Sequence, residues 1–278
     1  MKPKADKGPI GVEQAARRVI DDLRALADPR KAESAQRFVA TPIRALGIDA
    51  PTLRGMARAW IRRLKPTWRL REARALCGLL FQTPEIETRA AGFLVLGGFA
   101  REFNSELWPE AERWLGRYLD NWGLVDGFAS TVLTPLLRFH PEGSAVLRRW
   151  TRSNCLWTRR AAVVTLVPFA RHGEQLDLGF ELAEALLGEK EDLMHKAVGW
   201  LLREAGKTNP ARLKVFLLRH RGAIPRTTVR YAIERFPGEE RKRLLEETRR
   251  PATTNPKRAP SRVSECPAEG ESTNRSSK

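Results

Sequence analysis

The chain has 278 residues, with 50 Lys and Arg against 33 Asp and Glu, for a formal net charge of +17. That length suits one large domain or two small ones with a sizeable core, and no apolar run is long enough to span a bilayer. A basic excess of this size points to an anionic partner, nucleic acid first, while the absence of CxxC and HExxH and the four scattered histidines argue against a metal site.

Residues 1–10 are charged with no apolar stretch behind them, so they read as a flexible arm and not as a secretory signal. From Val12 to Glu247, helical patterns follow one another with short breaks such as Asp28-Pro29, Lys65-Pro66 and Asn209-Pro210. No stretch alternates with a period of two for long, so no sheet is expected. Of the three cysteines, two lie in apolar helical patterns, which favours reduced thiols and a cytoplasmic, nucleoid-associated setting. Residues 251–278 are rich in Pro, Ser and Thr and poor in large apolar groups. They read as a disordered tail, leaving 11–250 as one domain.

Within that domain the spacing predicts one helix over Asn121–His140, capped by Asn121. Trp122 and Asp126 lie four apart near its start, on one face. An acid suits the first turns of a helix; the neighbouring indole is not needed for that.

A repeat runs through the chain. RAAGFLVLGG begins at Arg89, RAAVVTLVPF at Arg160 and KAVGWLLREA at Lys196, each with a basic residue, a small pair and an apolar run. Asp126 takes the matching position between the first two, and the register extends outward to Arg54 and Arg230. A period of about 35 with two helices per unit predicts an all-α, right-handed HEAT-like solenoid. Equivalent positions would line one basic concave face, with Trp200 one turn after Lys196. Arg159 and Arg160 point about 100° apart on a helix, so at most one faces the groove, and the register selects Arg160. Such a groove can track phosphates. A carboxylate opposes that binding, so Asp126 requires another purpose.

At these residues the sequence resembles the bacterial DNA alkylation repair family of HEAT-like-repeat DNA glycosylases, the AlkD type. HKAVGWLLREAGKTNP (195–210), LWTRRAA (156–162), NWGLVDGFAS (121–130) and ALGIDAPTLR (45–54) carry the resemblance. It implies a monofunctional glycosylase that excises cationic alkylpurines, 3-methyladenine and 7-methylguanine, from duplex DNA in base excision repair, as a monomer without metal or cofactor. It also implies Asp126 as catalytic carboxylate, Trp122 and Trp200 as indoles facing the damaged nucleotide, and Arg160 as the catalytic-site arginine. Arg54, Arg89, Arg159, Lys196 and Arg230 are the expected DNA contacts. Two departures stand out: Phe38 falls where the family has an aromatic hydroxyl, and Gly123 where it often has Asp. The competing expectation is a non-catalytic repeat protein that binds DNA structures or a protein partner.

Overall fold

Side-chain caps punctuate the chain where the sequence places its breaks. Asp28 Oδ1 accepts from Arg30 N at 3.0 Å, Asp49 Oδ1 from Thr52 N at 2.9 Å, Asn121 Oδ1 from Leu124 N at 3.0 Å and Asn209 Oδ1 from Arg212 N at 3.0 Å. Each satisfies a backbone donor that the first helical turn leaves open, and the bond from Thr52 holds the Asp49 carboxyl below its usual range. The computed structural model describes residues 10–37 and 42–249. Phe38, the arm through residue 9 and the tail from residue 250 lie outside them.

Among the described residues the structure is all-α, with one isolated bridge between Arg44 and Glu85. The chain divides into two compact units, Met1–Glu110 with Asn121–Val146, and Ala111–Asp120 with Leu147–Lys278.

The first unit carries α1 (Val12–Arg24), α2 (Pro29–Gln36), α3 (Ala50–Leu64), α4 (Leu70–Phe81), α5 (Ile86–Gly97), the start of α6 (Leu107–Arg117), α7 (Trp122–Phe128) and α8 (Thr134–Phe139). The second carries the rest of α6, most of α9 (Ser144–Trp150), α10 (Leu156–Val164), α11 (Val167–Arg171), α12 (Leu176–Ala185), α13 (Asp192–Thr208), α14 (Pro210–Arg219), α15 (Arg226–Ala232) and α16 (Gly238–Glu247). The arrangement is that of HEAT-like repeats, read within each unit. In the first, α4 lies against α5, and α5 also packs on α3 and α7. In the second, α12 and α14 lie against α13, which packs on α10 and α15.

Small residues set how closely these helices approach. A Cβ at Gly127 of α7 would meet Phe93 Cζ of α5 at 2.8 Å, and one at Gly199 of α13 would meet Tyr231 Cβ of α15 at 2.5 Å. Phe128 closes the first core with edge-on contacts to Phe81 and Phe93, centroids 6.1 and 6.2 Å away.

The segment expected as one helix over Asn121–His140 departs from that expectation. Between α7 and α8, residues Ala129–Leu133 form a π turn, with Thr134 N donating to Ala129 O. Pro135 supplies one reason, since its ring clashes with the carbonyl four residues back in a regular helix. The apolar spacing supplies another. The buried residues fall in two columns, Leu124, Phe128, Val132, Leu136 and Val125, Ala129, Leu133, Leu137. A strict spacing of four drifts by about 40° per step on an α-helix, and the wider π turn absorbs the drift.

Buried carboxylates tie loops and helices together. Glu87 of α5 accepts from the backbone N–H groups of Leu46, Gly47 and Ile48 at 2.8, 2.9 and 3.3 Å, fixing the loop before α3. In the second unit, Glu204 of α13 is 2 % exposed and bonds Lys207 Nζ at 2.6 Å and Arg171 Nε at 3.2 Å. Burial pushes its carboxyl up, but the two cations outweigh that and hold it below the usual range. A depressed folded value stabilises the protein above the unfolded pKa, and the contribution is lost as pH falls through the folded one. Glu204→Gln is therefore expected to cost about 1–3 kcal/mol at neutral pH and to flatten the acid side of the stability profile. Denaturant melts between pH 3 and 7 check this; equal losses for wild type and variant on acidification would refute it.

Among the cysteines, Cys77 is free and buried.

Candidate nucleic-acid interface

The repeat register drawn from the sequence lands on matching helix positions. Arg54 is the fifth residue of α3, Arg89 the fourth of α5 and Asp126 the fifth of α7. Arg160, Lys196 and Arg230 are the fifth residues of α10, α13 and α15. Because α3, α5 and α7 pack in series in one unit, and α10, α13 and α15 in the other, each unit carries its own row.

In the first unit Arg54 is exposed. Arg89 is half-buried and donates Nε to Thr83 O at 2.7 Å. Asp126 is half-buried, and its backbone carbonyl accepts from Ser130 Oγ at 2.9 Å, at the entry to the π turn. Trp122, one turn earlier, keeps 38 % of its surface exposed. Core tryptophans of the same unit are treated differently, with Trp68 at 2 % and Trp108 at 4 %. The open part of the indole can meet a partner, while the rest of it is covered by the fold. Trp122→Ala is therefore expected to lower stability by less than the roughly 3–5 kcal/mol of a fully buried Trp→Ala. A thermal melt decides, and a large loss would make Trp122 a core residue. Gly123 leaves the Asn121 cap intact, although a Cβ there would sit 3.3 Å from Asn121 Oδ1.

In the second unit the row is unevenly exposed. Arg160 is 5 % exposed and donates to Leu193 O at 2.6 Å, pinning the first turn of α13. Arg159 is also turned inward: it donates to Ser153 O and Asn154 O at 2.7 and 3.0 Å and pairs with Glu189 at 2.7 Å. Lys196 Nζ lies 2.8 Å from Asp192 Oδ2, a bond that raises the lysine and lowers the acid. Trp200 is half-buried and Arg230 exposed.

Ion pairs occur on the row helices, as with Lys196 and Arg203, and on the helices between them. On the alternate helices, arginines meet acids: Arg74 with Glu110 at 2.7 Å, Arg149 with Glu112 at 2.7 Å and Arg148 with Glu181 at 2.6 Å. Arg54 and Arg230 make no ion pair among the described residues. Uncompensated cations on repeat-equivalent positions can bind an anion, since no internal pairing has to be broken first.

The sequence reading missed one feature. A cleft of about 670 Å³ in the second unit is lined by Arg226, Arg230 and Arg249, with His195 and Glu189 on its wall. The signal available was Arg226 four residues before Arg230, on one helix face.

Comparison with known proteins agrees with this architecture. The family model described as DNA alkylation repair enzyme matches residues 19–236. A solved structure described as a predicted DNA alkylation repair enzyme from Enterococcus faecalis superposes with a TM-score of 0.68 at 16 % identity, over 76 % of this chain and 97 % of that one. AlkD2 from Streptococcus mutans superposes with a TM-score of 0.54 at 14 % identity, over 86 % of this chain and 97 % of that one. Both likenesses are of fold. No curated protein matches the chain.

Proposed function

The chain belongs to the DNA alkylation repair enzyme family, and from that premise we propose that it is a DNA glycosylase of the AlkD type. Its substrates are cationic alkylpurines, 3-methyladenine and 7-methylguanine, in duplex DNA. The observation that carries this reading is the single carboxylate, Asp126, at a helix position where the other five repeats have Arg or Lys. A repeat protein that only binds phosphates gains nothing from an acid there.

The chemistry suits an unaided side chain. An alkylpurine with a quaternised ring nitrogen is already positively charged, so it leaves without protonation. The C1′–N bond breaks with its electron pair going to the base, which becomes neutral. Positive charge passes to the sugar as an oxocarbenium-like state. Asp126 stabilises that charge and orients the water, whose oxygen bonds to C1′ as its proton passes to the Asp126 carboxylate and on to solvent. Trp122 and Trp200 offer indole faces to cationic base and sugar, worth about 0.5–2 kcal/mol each. Arg54, Arg89, Lys196 and Arg230 hold phosphates. Arg160 acts as a positioning residue through the backbone of α13. The test is release of free 7-methylguanine from methylated duplex DNA by the purified chain. No release of any alkylated base would transfer the reading to a non-catalytic DNA-binding repeat protein.

A further inference from the structure

The cleft in the second unit holds more positive charge than its acids balance. Arg226 is half-buried, and its terminal nitrogens donate to Thr248 Oγ1 at 3.0 Å and Leu245 O at 2.9 Å, both neutral. Neither Arg226 nor Arg230 makes an ion pair among the described residues. Arg249 has only the exposed Glu246, 3.2 Å away. The one carboxylate on the cleft wall, Glu189, is already paired with Arg159 at 2.7 Å. Burial first, and then Arg230 and Arg249 nearby, lower the pKa of Arg226, with the exposed Glu246 opposing them.

The remaining wall is not polar. Leu187, Ala223 and Pro225 line it, and His195 presents a ring held by its Nε2 bond to Glu189 O at 2.7 Å. A bare phosphate would fill only a small part of about 670 Å³, a volume in the range of sites for drug-sized molecules. An oxyanion group bonded to a flat, weakly polar body fits both halves. Guanidinium pairs are suited to phosphate oxygens.

We infer that this cleft binds a nucleoside phosphate, with Arg226 and Arg230 on the phosphate and the wall of Leu187, Ala223 and Pro225 against the nucleoside. The site does not depend on base excision; Arg230 is the one residue the two readings share. The phosphate can come from a free nucleotide or from the end of a DNA strand.

The experiment is calorimetric titration of the full chain with adenosine 5′-monophosphate. Adenosine and inorganic phosphate are each expected to bind at least about tenfold more weakly, because each loses one half of the contacts. Arg230→Gln and Arg226→Gln are each expected to weaken nucleotide binding by about tenfold or more, while Asp126→Asn leaves it unchanged. Arg226→Gln also removes two internal bonds, so Arg230→Gln, whose side chain has none to lose, carries the decision. Displacement of the nucleotide by a 5′-phosphorylated oligonucleotide, and not by its unphosphorylated form, assigns the site to a strand end. Failure of both to displace it assigns the site to a free nucleotide. Nucleotide binding no tighter than adenosine or phosphate alone, or unaffected by Arg230→Gln, overturns the inference whether or not the chain excises bases.

Discussion

Asp126→Asn is expected to slow single-turnover release of 7-methylguanine by about 10²–10³-fold and to leave affinity for duplex DNA equal or tighter. The two effects differ in sign because the carboxylate meets opposite charges at different stages. In the ground state it repels phosphates, so neutralising it does not weaken binding. Positive charge on the sugar grows only as the glycosidic bond breaks, so the favourable interaction belongs to the transition state. Asn keeps the size of the side chain, and Asp126 is half-buried, so a folding defect is not expected to imitate the result. Excision kinetics and a gel-shift titration, wild type beside variant, read both halves. Excision at nearly the wild-type rate would remove Asp126 from the mechanism.

The second large effect is on binding. The combined change of Arg54, Arg89 and Arg230 to Ala is expected to flatten the plot of log affinity against log salt by about 0.9 for each arginine on a phosphate. Affinity at low salt should fall most, because counterion release contributes most there. Arg54 and Arg230 are exposed, so their loss costs the fold little, while the loss of Arg89 removes its bond to Thr83 O among its contacts. Titrations at several salt concentrations decide. A slope equal to that of wild type would mean that the rows do not meet phosphates.

Much of this architecture is legible in the residues because a repeat constrains them. Where helices pack in series, a small residue follows most row positions (Gly55, Ala90, Gly127, Ala161 and Ala197), and at the last, Tyr231 packs against Gly199 instead. Matching positions on alternate helices follow from that. The direction of long side chains does not. Arg160 sits at its expected position yet turns inward to Leu193 O, because an arginine reaches a carbonyl on the neighbouring helix as easily as it reaches solvent. The cleft was illegible for a related reason: Thr248, Arg249 and the loop before α15 are brought to it by packing, not by spacing. The π turn left a trace, two apolar columns with a strict spacing of four, which a reading tuned to amphipathic helices passes over.

That turn bears on how freely the chain can change length. A deletion inside a helix ordinarily rotates everything after it by about 100° and turns apolar groups to solvent. Here the columns already run one residue long. Removing Ser130 from the count brings Val132 and Leu133, with Leu136 and Leu137 behind them, one step closer to Phe128 and Ala129. The spacings become four, three and four, those of a regular amphipathic helix. The stretch just after Asp126 is thus an α-helix carrying one surplus residue, placed where Pro135 already rules out a regular turn.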